Sequence, residues 1–298
     1  MHALQTDPLS QYRAQSPPPV LFHYTSMGVL ERITDTCQIW ASHASFLNDS
    51  SEFEHARDFI RDRVLERAKQ VDISDLIIKE LIPIIDFRPD FEDVFVASFT
   101  EDGDSLPQWR GYCATGMGVS IGFDRLALMN CTMEIEHLFP EEAANNPIVY
   151  RSLLKCVYTP AEKSRLISES VDGFMNAIQG EHPQLSFHDA GAFLKGIIAL
   201  CSPLFKHESF KEEREWRLVV QCKGRKSPKR HFRAAQSTLI PFIKLDVGTD
   251  RRGSYISKVN VGPSPNAHLA AIGVRKLLEH RDLSTATVEN SRLPYRSW

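Results

Sequence analysis

At 298 residues, with 42% hydrophobic and 24% charged residues, the chain has the composition of an ordinary globular protein and room for one large domain or two small ones. A net charge of -3 argues against a generally basic nucleic-acid binder, while leaving room for a local basic patch. The six cysteines, Cys37, Cys113, Cys131, Cys156, Cys201 and Cys222, form no CxxC pair, which argues against a zinc site or disulfide scaffold and suits a reducing compartment. The first residues have neither the basic nor the apolar region of a signal peptide, and no apolar run is long enough to span a bilayer. The expectation is a cytoplasmic, bacterial-style protein with no membrane partner.

Residues 1–19 read as an irregular leader ending in Ser16-Pro17-Pro18-Pro19, and residues 20–298 as one α+β domain. A strand at about 20–24 gives way at Ser26, a good N-cap, to an amphipathic helix at 26–35. Gln38-Ile39-Trp40-Ala41-Ser42 reads as a second strand. A charged helix follows at 50–70, with Asp49 or Ser50 as its expected cap, then a helix at 73–84 that Pro83 and Pro89 interrupt. Val94 to Phe99 is a buried strand, and a loop leads from it to a short helix holding Gln108, Trp109, Arg110 and Tyr112.

Gly116 to Phe123 is a Gly-rich strand whose glycines at 116 and 118 strip one face and permit close approach by a ligand or a neighbour. No GxGxxG turn opens a helix there, so this is no dinucleotide fingerprint. A strand at 153–158, helices at 161–180 and 187–204, and a strand in the second half of 205–220 come next. Strands near 238–245 and 255–261, a helix near 265–279 and a strand near 285–290 close the chain. Irregular insertions, at about 50–90 and 160–205, separate the strands in place of regular βα units, which predicts an α+β fold with a mixed sheet.

Strand alternation sets His23 and Thr25 side by side at a strand end, placed to grip a polar ring or a ribose. A strand end with locally satisfied polar groups is the plainer alternative. In Glu213-Arg214-Glu215-Trp216-Arg217-Leu218, alternation puts Glu213, Glu215 and Arg217 on one face, and Trp216, Leu218 and Val220 on an apolar one. That charged face is either a solvated ion-pair ladder or a site. Trp109-Arg110-Gly111-Tyr112 offers rings to a flat ligand or simply packs.

The histidines are dispersed, with no HExxH or other ligand spacing, so no metal site is predicted; His207 beside Glu208 only hints at an acid–base pair. Cys113 reads as a buried thiol more readily than as a nucleophile. Gln221-Cys222-Lys223 has the Q-x-K shape of some restriction-like nucleases, with Glu213 or Glu215 as a magnesium ligand, although no upstream Asp on a strand is evident. The basic run Lys223 to His231 is either a solvated loop or one that contacts phosphate or nucleic acid.

Five features together resemble the uncharacterised bacterial domain-of-unknown-function family 2971 (DUF2971). They are His23-Tyr24-Thr25-Ser26; Phe46-Leu47-Asn48-Asp49 with Glu52; Val96-Ala97-Ser98-Phe99 followed by Trp109, Tyr112, Gly118 and Gly122-Phe123; Glu213 to Leu218; and Val259 to Pro263 with Ser291 to Arg296. The resemblance runs from about residue 20 to the end. It departs from the family pattern at Asn48-Asp49-Ser50, where a small-Asp-Pro turn is usual, and at Arg110 within the Trp-x-x-Tyr helix.

More distantly, His-x-Thr on a strand, then a helix and a short strand, looks like the opening of ADP-ribosyltransferase-type folds, such as DarT-like DNA-modifying toxins and RNA 2′-phosphotransferases. This likeness implies an ADP-ribosyltransferase-like split sheet in which His23 and Thr25, with Ser26 beside them, hold NAD. Glu215, or Glu213 in its place, would be the catalytic carboxylate, and Tyr112 or Trp40 would stack on nicotinamide. Arg217 would fix the carboxylate or contact a phosphate. A carboxylate near the ribose would stabilise the oxocarbenium character that develops as nicotinamide leaves. The implied activity is glycosyl transfer from NAD to an unknown nucleic-acid or protein acceptor, in bacterial conflict or phage defence. It requires His23, Thr25 and Glu215 to converge on one ribose. The alternatives are a non-enzymatic module that binds a nucleotide or a partner, and the metal-dependent nuclease.

Overall fold

The computed structural model describes residues 16–47, 51–86, 94–113, 117–137, 148–179, 194, 196, 198–199, 201–223, 226–248 and 255–294. In chain order the strands are β1 (Val20–Thr25), β2 (Gln38–His43), β3 (Val94–Thr100), β4 (Val119–Asp124), β5 (Ile135–His137), β6 (Ile148–Lys155), β7 (Glu215–Lys223), β8 (Lys226–Pro228), β9 (His231–Ala234), β10 (Leu239–Asp246), β11 (Ile256–Val261) and β12 (Thr287–Asn290). The helices are α1 (Met27–Thr36), α2 (Ser51–Gln70), α3 (Asp75–Asp86), α4 (Leu106–Tyr112), α5 (Arg125–Met129), α6 (Pro160–Ile178) and α7 (Ala267–His280).

Ten of the strands build one mixed, mostly antiparallel sheet in the order β12-β11-β4-β1-β3-β2-β10-β9, with β7 beside β3 and β6 beside β7. The pairing of β11 with β12 is parallel. β3 organises the sheet. One of its edges pairs with β7 from Val94↔Gln221 to Thr100↔Glu215. Its other edge is shared: β1 meets it at Phe22↔Thr100, and β2 at Ser42↔Val96 and His43↔Phe95. Between these contacts, Ala97 to Phe99 have no strand partner on that edge, so the sheet parts there into two branches.

Both faces are covered. Phe95, Ala97 and Phe99 of β3, with Trp216, Leu218 and Val220 of β7, form a core with Leu30 and Ile33 of α1 and Val274 and Leu278 of α7. Val94, Val96 and Val219 pack on the opposite side with Ile60 and Val64 of α2 and Leu166, Phe174 and Met175 of α6. The helix α2 is polar overall, yet Ala56, Ile60, Val64 and Ala68 recur every four residues, which gives it one narrow buried stripe. Burial on both faces explains why β3 reads as a continuous apolar run.

The expected elements that fall on described residues are present, with three departures, whereas most of the helix expected at 187–204 lies outside the described residues and Ser202–Leu204 form a 3-10 turn. The second helix of the first insertion continues through Pro83 to Asp86. The strand expected at 153–158 starts at Ile148. The basic run expected as a loop, Lys223 to His231, contains β8, which pairs with β5, and leads at His231 into β9, which pairs with β10. The expected caps Asp49 and Ser50, together with Gly116, lie outside the described residues. At the end of the leader, Arg125 Nη1 donates to the Ser16 hydroxyl at 3.1 Å and to the Pro17 carbonyl at 3.0 Å. The five cysteines described are free thiols. Among the described residues, no helix is long and apolar enough to cross a membrane.

Candidate functional site

The charged face of β7 is buried. Glu215 is 5% exposed and Arg217 4%, so the solvated ladder is not what this strand presents. Lys206, on the segment leading to the 3-10 turn Glu208–Glu213, completes the group. Its Nζ donates to Glu213 Oε2 at 2.5 Å and to Glu215 Oε2 at 2.6 Å. Arg217 Nε donates to Glu215 Oε1 at 2.7 Å, its Nη2 to Glu215 Oε2 at 3.2 Å, and its Nη1 to the Pro203 carbonyl at 2.7 Å. Two cations and two carboxylates thus share one enclosed space, the arrangement that makes burial of charge tolerable. The Glu215 backbone N–H donates to the Tyr158 hydroxyl at 2.8 Å, which fixes the start of the strand.

Alternation failed for Glu213. Arg214 adopts φ 44°, in the left-handed region, so the strand begins at Glu215 and Glu213 belongs to the preceding turn. It reaches the group through Lys206. Lys206 and Tyr158 were missed by sequence reasoning; the available signal was a lone Lys ending the apolar run Pro203-Leu204-Phe205 just before the acidic strand.

Burial raises the pKa of Glu215, and the charges of Arg217 and Lys206 outweigh it, so the carboxyl is held down to about 2. For Lys206 the pKa also ends above its ordinary value, because Glu215 and Glu213 overcome a larger burial effect. Since the Glu215 pKa is depressed on folding, its stabilisation is complete above the unfolded value of 4.5 and is lost as pH falls toward 2. A drop of about 3 kcal/mol across that window is expected, measured as the urea midpoint against pH. Glu215→Gln should flatten the curve there; an unchanged curve would contradict the pairing.

Tyr112, at the end of α4, lies within reach of the charges of this group. Burial, then the Glu215 and Glu213 charges, push its phenol up to about 12, while 45% of the residue stays exposed. The helix is held down by its neighbours. Trp109 is buried edge-on against Tyr24, with ring centroids 4.6 Å apart, and its indole N–H donates to Asp104 Oδ1 at 2.9 Å. Asp104 also accepts from Ser291 Oγ at 2.5 Å and from the Arg292 backbone N–H at 2.8 Å. A Cβ at Gly118 would lie 2.4 Å from Cys113 Sγ and 2.6 Å from the Thr25 carbonyl, so close approach there serves the neighbouring chain. Burial raises the Cys113 thiol to about 11 against a weaker pull from that carbonyl, which leaves it a poor nucleophile.

His23 and Thr25 go elsewhere. They pair with Ile121 and Val119, core residues on the α1 side, whereas Thr100 and Ser98 pair with Glu215 and Arg217 on the opposite face. The expected convergence of His23, Thr25 and Glu215 on one ribose therefore does not occur: strict alternation along β1 and β7 aims them at opposite faces. His23 Nδ1 bonds the Ser98 carbonyl at 3.0 Å, where the edge of β3 away from β7 has no strand partner. A carbonyl only accepts, so Nδ1 carries the proton. Burial lowers the His23 pKa against the opposing effect of this bond.

Ser26 caps α1 as expected, accepting from the Val29 N–H at 3.4 Å. Trp40 stacks on Phe242 at 4.1 Å and lies under the Arg32 guanidinium at 4.7 Å. His207 Nδ1 is bonded to the Ser209 hydroxyl, so Glu208 is not its partner in that bond.

For the nuclease, Gln221 is 7% exposed and its Oε1 has no hydrogen-bond partner, while the side chain of Lys223 lies outside the described residues. Among the described residues, no group of three or more His, Cys, Asp or Glu side chains is arranged to hold a metal. A cavity of about 280 Å³ between α2 and α6, bordered by Arg63, Arg67, Ile167 and Asp172, contains none of the expected site residues.

Residues 108–218 match the model of a protein family of unknown function, DUF2971. The resemblance to DUF2971 read from the motifs is borne out over that segment. The DUF2971 match contains Trp109, Tyr112, Lys206, Glu213, Glu215 and Arg217, and leaves His23, Thr25, Ser26 and Trp40 outside it. No curated protein and no solved structure matches the chain.

Proposed function

We propose that the chain is a nucleotide-binding module whose ligand sits over Tyr112 and Glu213. The observation that carries this reading is the division of labour between the two glutamates. Both oxygens of Glu215 are taken by Arg217 and Lys206, and the side chain is 7% exposed. A carboxylate so engaged is a scaffold and is poorly placed to meet a developing cation. In Glu213 the bond to Lys206 uses Oε2, and the side chain is 19% exposed. A carboxylate oxygen accepts hydrogen bonds from a ribose diol, and the exposed Tyr112 ring offers a face to a base or to nicotinamide.

The test is calorimetric titration with NAD and with ADP-ribose, with free nicotinamide assayed in the same samples. Saturable binding without nicotinamide is expected, weakened about 5- to 100-fold by Tyr112→Ala or Glu213→Gln. Failure of both ligands to saturate, or binding indifferent to both substitutions, would sink the reading. Nicotinamide release that disappears in Glu213→Gln would replace it with the ADP-ribosyltransferase-like one, in fold as in activity, with Glu213 as the working carboxylate.

A further inference from the structure

The proposed ligand contacts, Tyr112 and Glu213, are tied to one short loop, residues 101–105, which joins β3 to α4. On the Glu213 side, the Thr100 hydroxyl donates to the Glu213 carbonyl at 2.6 Å, and Asp102 Oδ2 accepts from Arg214 Nη2 at 3.1 Å. On the Tyr112 side, Asp104 Oδ1 accepts from the Trp109 indole, and the Ser105 N–H donates to the Tyr24 hydroxyl at 2.7 Å. The two halves are joined, because the Asp104 N–H donates to Asp102 Oδ1 at 2.9 Å. Asn260 of β11 donates from Nδ2 to the Gly103 carbonyl at 2.9 Å, and a Cβ at Gly103 would lie 2.5 Å from that same nitrogen.

The segment that follows β12 docks on this loop. Ser291 Oγ donates to Asp104 Oδ1, the oxygen that also holds Trp109, and the Arg292 N–H donates to Asp104 Oδ2. The Leu293 N–H turns back to Ser291 Oγ at 3.1 Å, and its side chain packs with Tyr24, Trp109 and Cys113. Arg292 and Pro294 are exposed, and Ser291 and Leu293 are half-buried. A segment held by two hydrogen bonds and one apolar side chain opens at far lower cost than the sheet beside it.

We propose that Ser291–Leu293 is a strap whose docking sets the affinity of the nucleotide site, with Asp104 as the positioning residue. The proposal rests on the nucleotide reading. Docked, the strap fixes Asp104. Asp104 then fixes α4 through Trp109, and the turn that ends in Glu213 through Asp102 and Arg214. Lifting the strap loosens both ligand contacts at once. The coupling is reciprocal: the factor by which docking strengthens ligand binding is the factor by which ligand strengthens docking.

The test is amide exchange read residue by residue on the full chain, with ADP-ribose affinity measured beside it. In Ser291→Ala, exchange across 101–112 should quicken about 5- to 20-fold while β7 keeps its rate, and ADP-ribose should bind about 5- to 20-fold more weakly. Ser291→Thr keeps the hydroxyl and should stay within about threefold of the parent. So should Ser168→Ala, which deletes a hydroxyl bond to the Arg165 carbonyl on α6. In the parent, saturating ADP-ribose should slow the Arg292 and Leu293 amides by a factor similar to the loss in Ser291→Ala. Four results would each overturn the proposal: unaltered exchange across 101–112 in Ser291→Ala, equal quickening in β7, equal loss in Ser291→Thr or Ser168→Ala, or no slowing of the Arg292 amide by bound ADP-ribose. A parent chain that binds no ADP-ribose sinks the nucleotide reading, and with it the strap's effect on affinity; quickened exchange in Ser291→Ala would still show that the strap holds α4.

Discussion

Replacing Arg217 with Met should destabilise the protein by about 3–5 kcal/mol, the largest single effect expected for a charged side chain here. The substitution leaves Glu215 with one cation, Lys206, which also serves Glu213, and strips the Pro203 carbonyl of its donor. The loss should be read from guanidinium melts. The triple change Lys206→Met, Glu215→Leu, Arg217→Met should recover most of it, because replacing the three most buried ions together by apolar side chains forfeits little and leaves only Glu213, the more exposed of the four. If Arg217→Met alone unfolds within about 1 kcal/mol of the parent, the group is solvated and the burial argument is wrong.

Trp109→Ala should also cost about 3–5 kcal/mol, for a different reason. The indole is buried against Tyr24 and bonded to Asp104, and it is the main anchor of the short helix that ends in Tyr112. Besides the shift in the melt, faster amide exchange across 106–112 and loss of ADP-ribose binding are expected together. Trp109→Phe keeps the packing and deletes the bond to Asp104, so about 1–2 kcal/mol should be lost and binding largely kept. Exchange at 106–112 unaltered in Trp109→Ala would show that the helix is held by something else.

Local patterns carried most of the elements. Ser26 announced its helix because its side chain bonds within one turn, and β3 announced itself by apolar residues on both faces. Where the reading failed, the deciding interaction was long-range. Nothing near Glu215 in sequence reports that Lys206 neutralises it, and nothing near His23 reports that β1 meets β3 from the side away from β7. Alternation told which residues share a face along one strand. Which faces of β1 and β7 coincide depended on their register against β3. The strands β8 and β9 were hidden because their basic sequences lack alternating hydrophobicity.

The central position of β3 has a consequence for synthesis on the ribosome. Its partner β7 is encoded more than a hundred residues later, since Thr100 pairs with Glu215. At ordinary elongation rates, one edge of an apolar strand therefore waits on the order of ten seconds for its neighbour to be made. Loop closure over that span is slow, and the nascent chain exposes β-prone surface throughout. A chain stopped after Lys155 contains β1 to β6 without the strand that joins β3 to β6. Such a fragment is an aggregation hazard, and β3 and β6 are joined only after translation has passed Lys223.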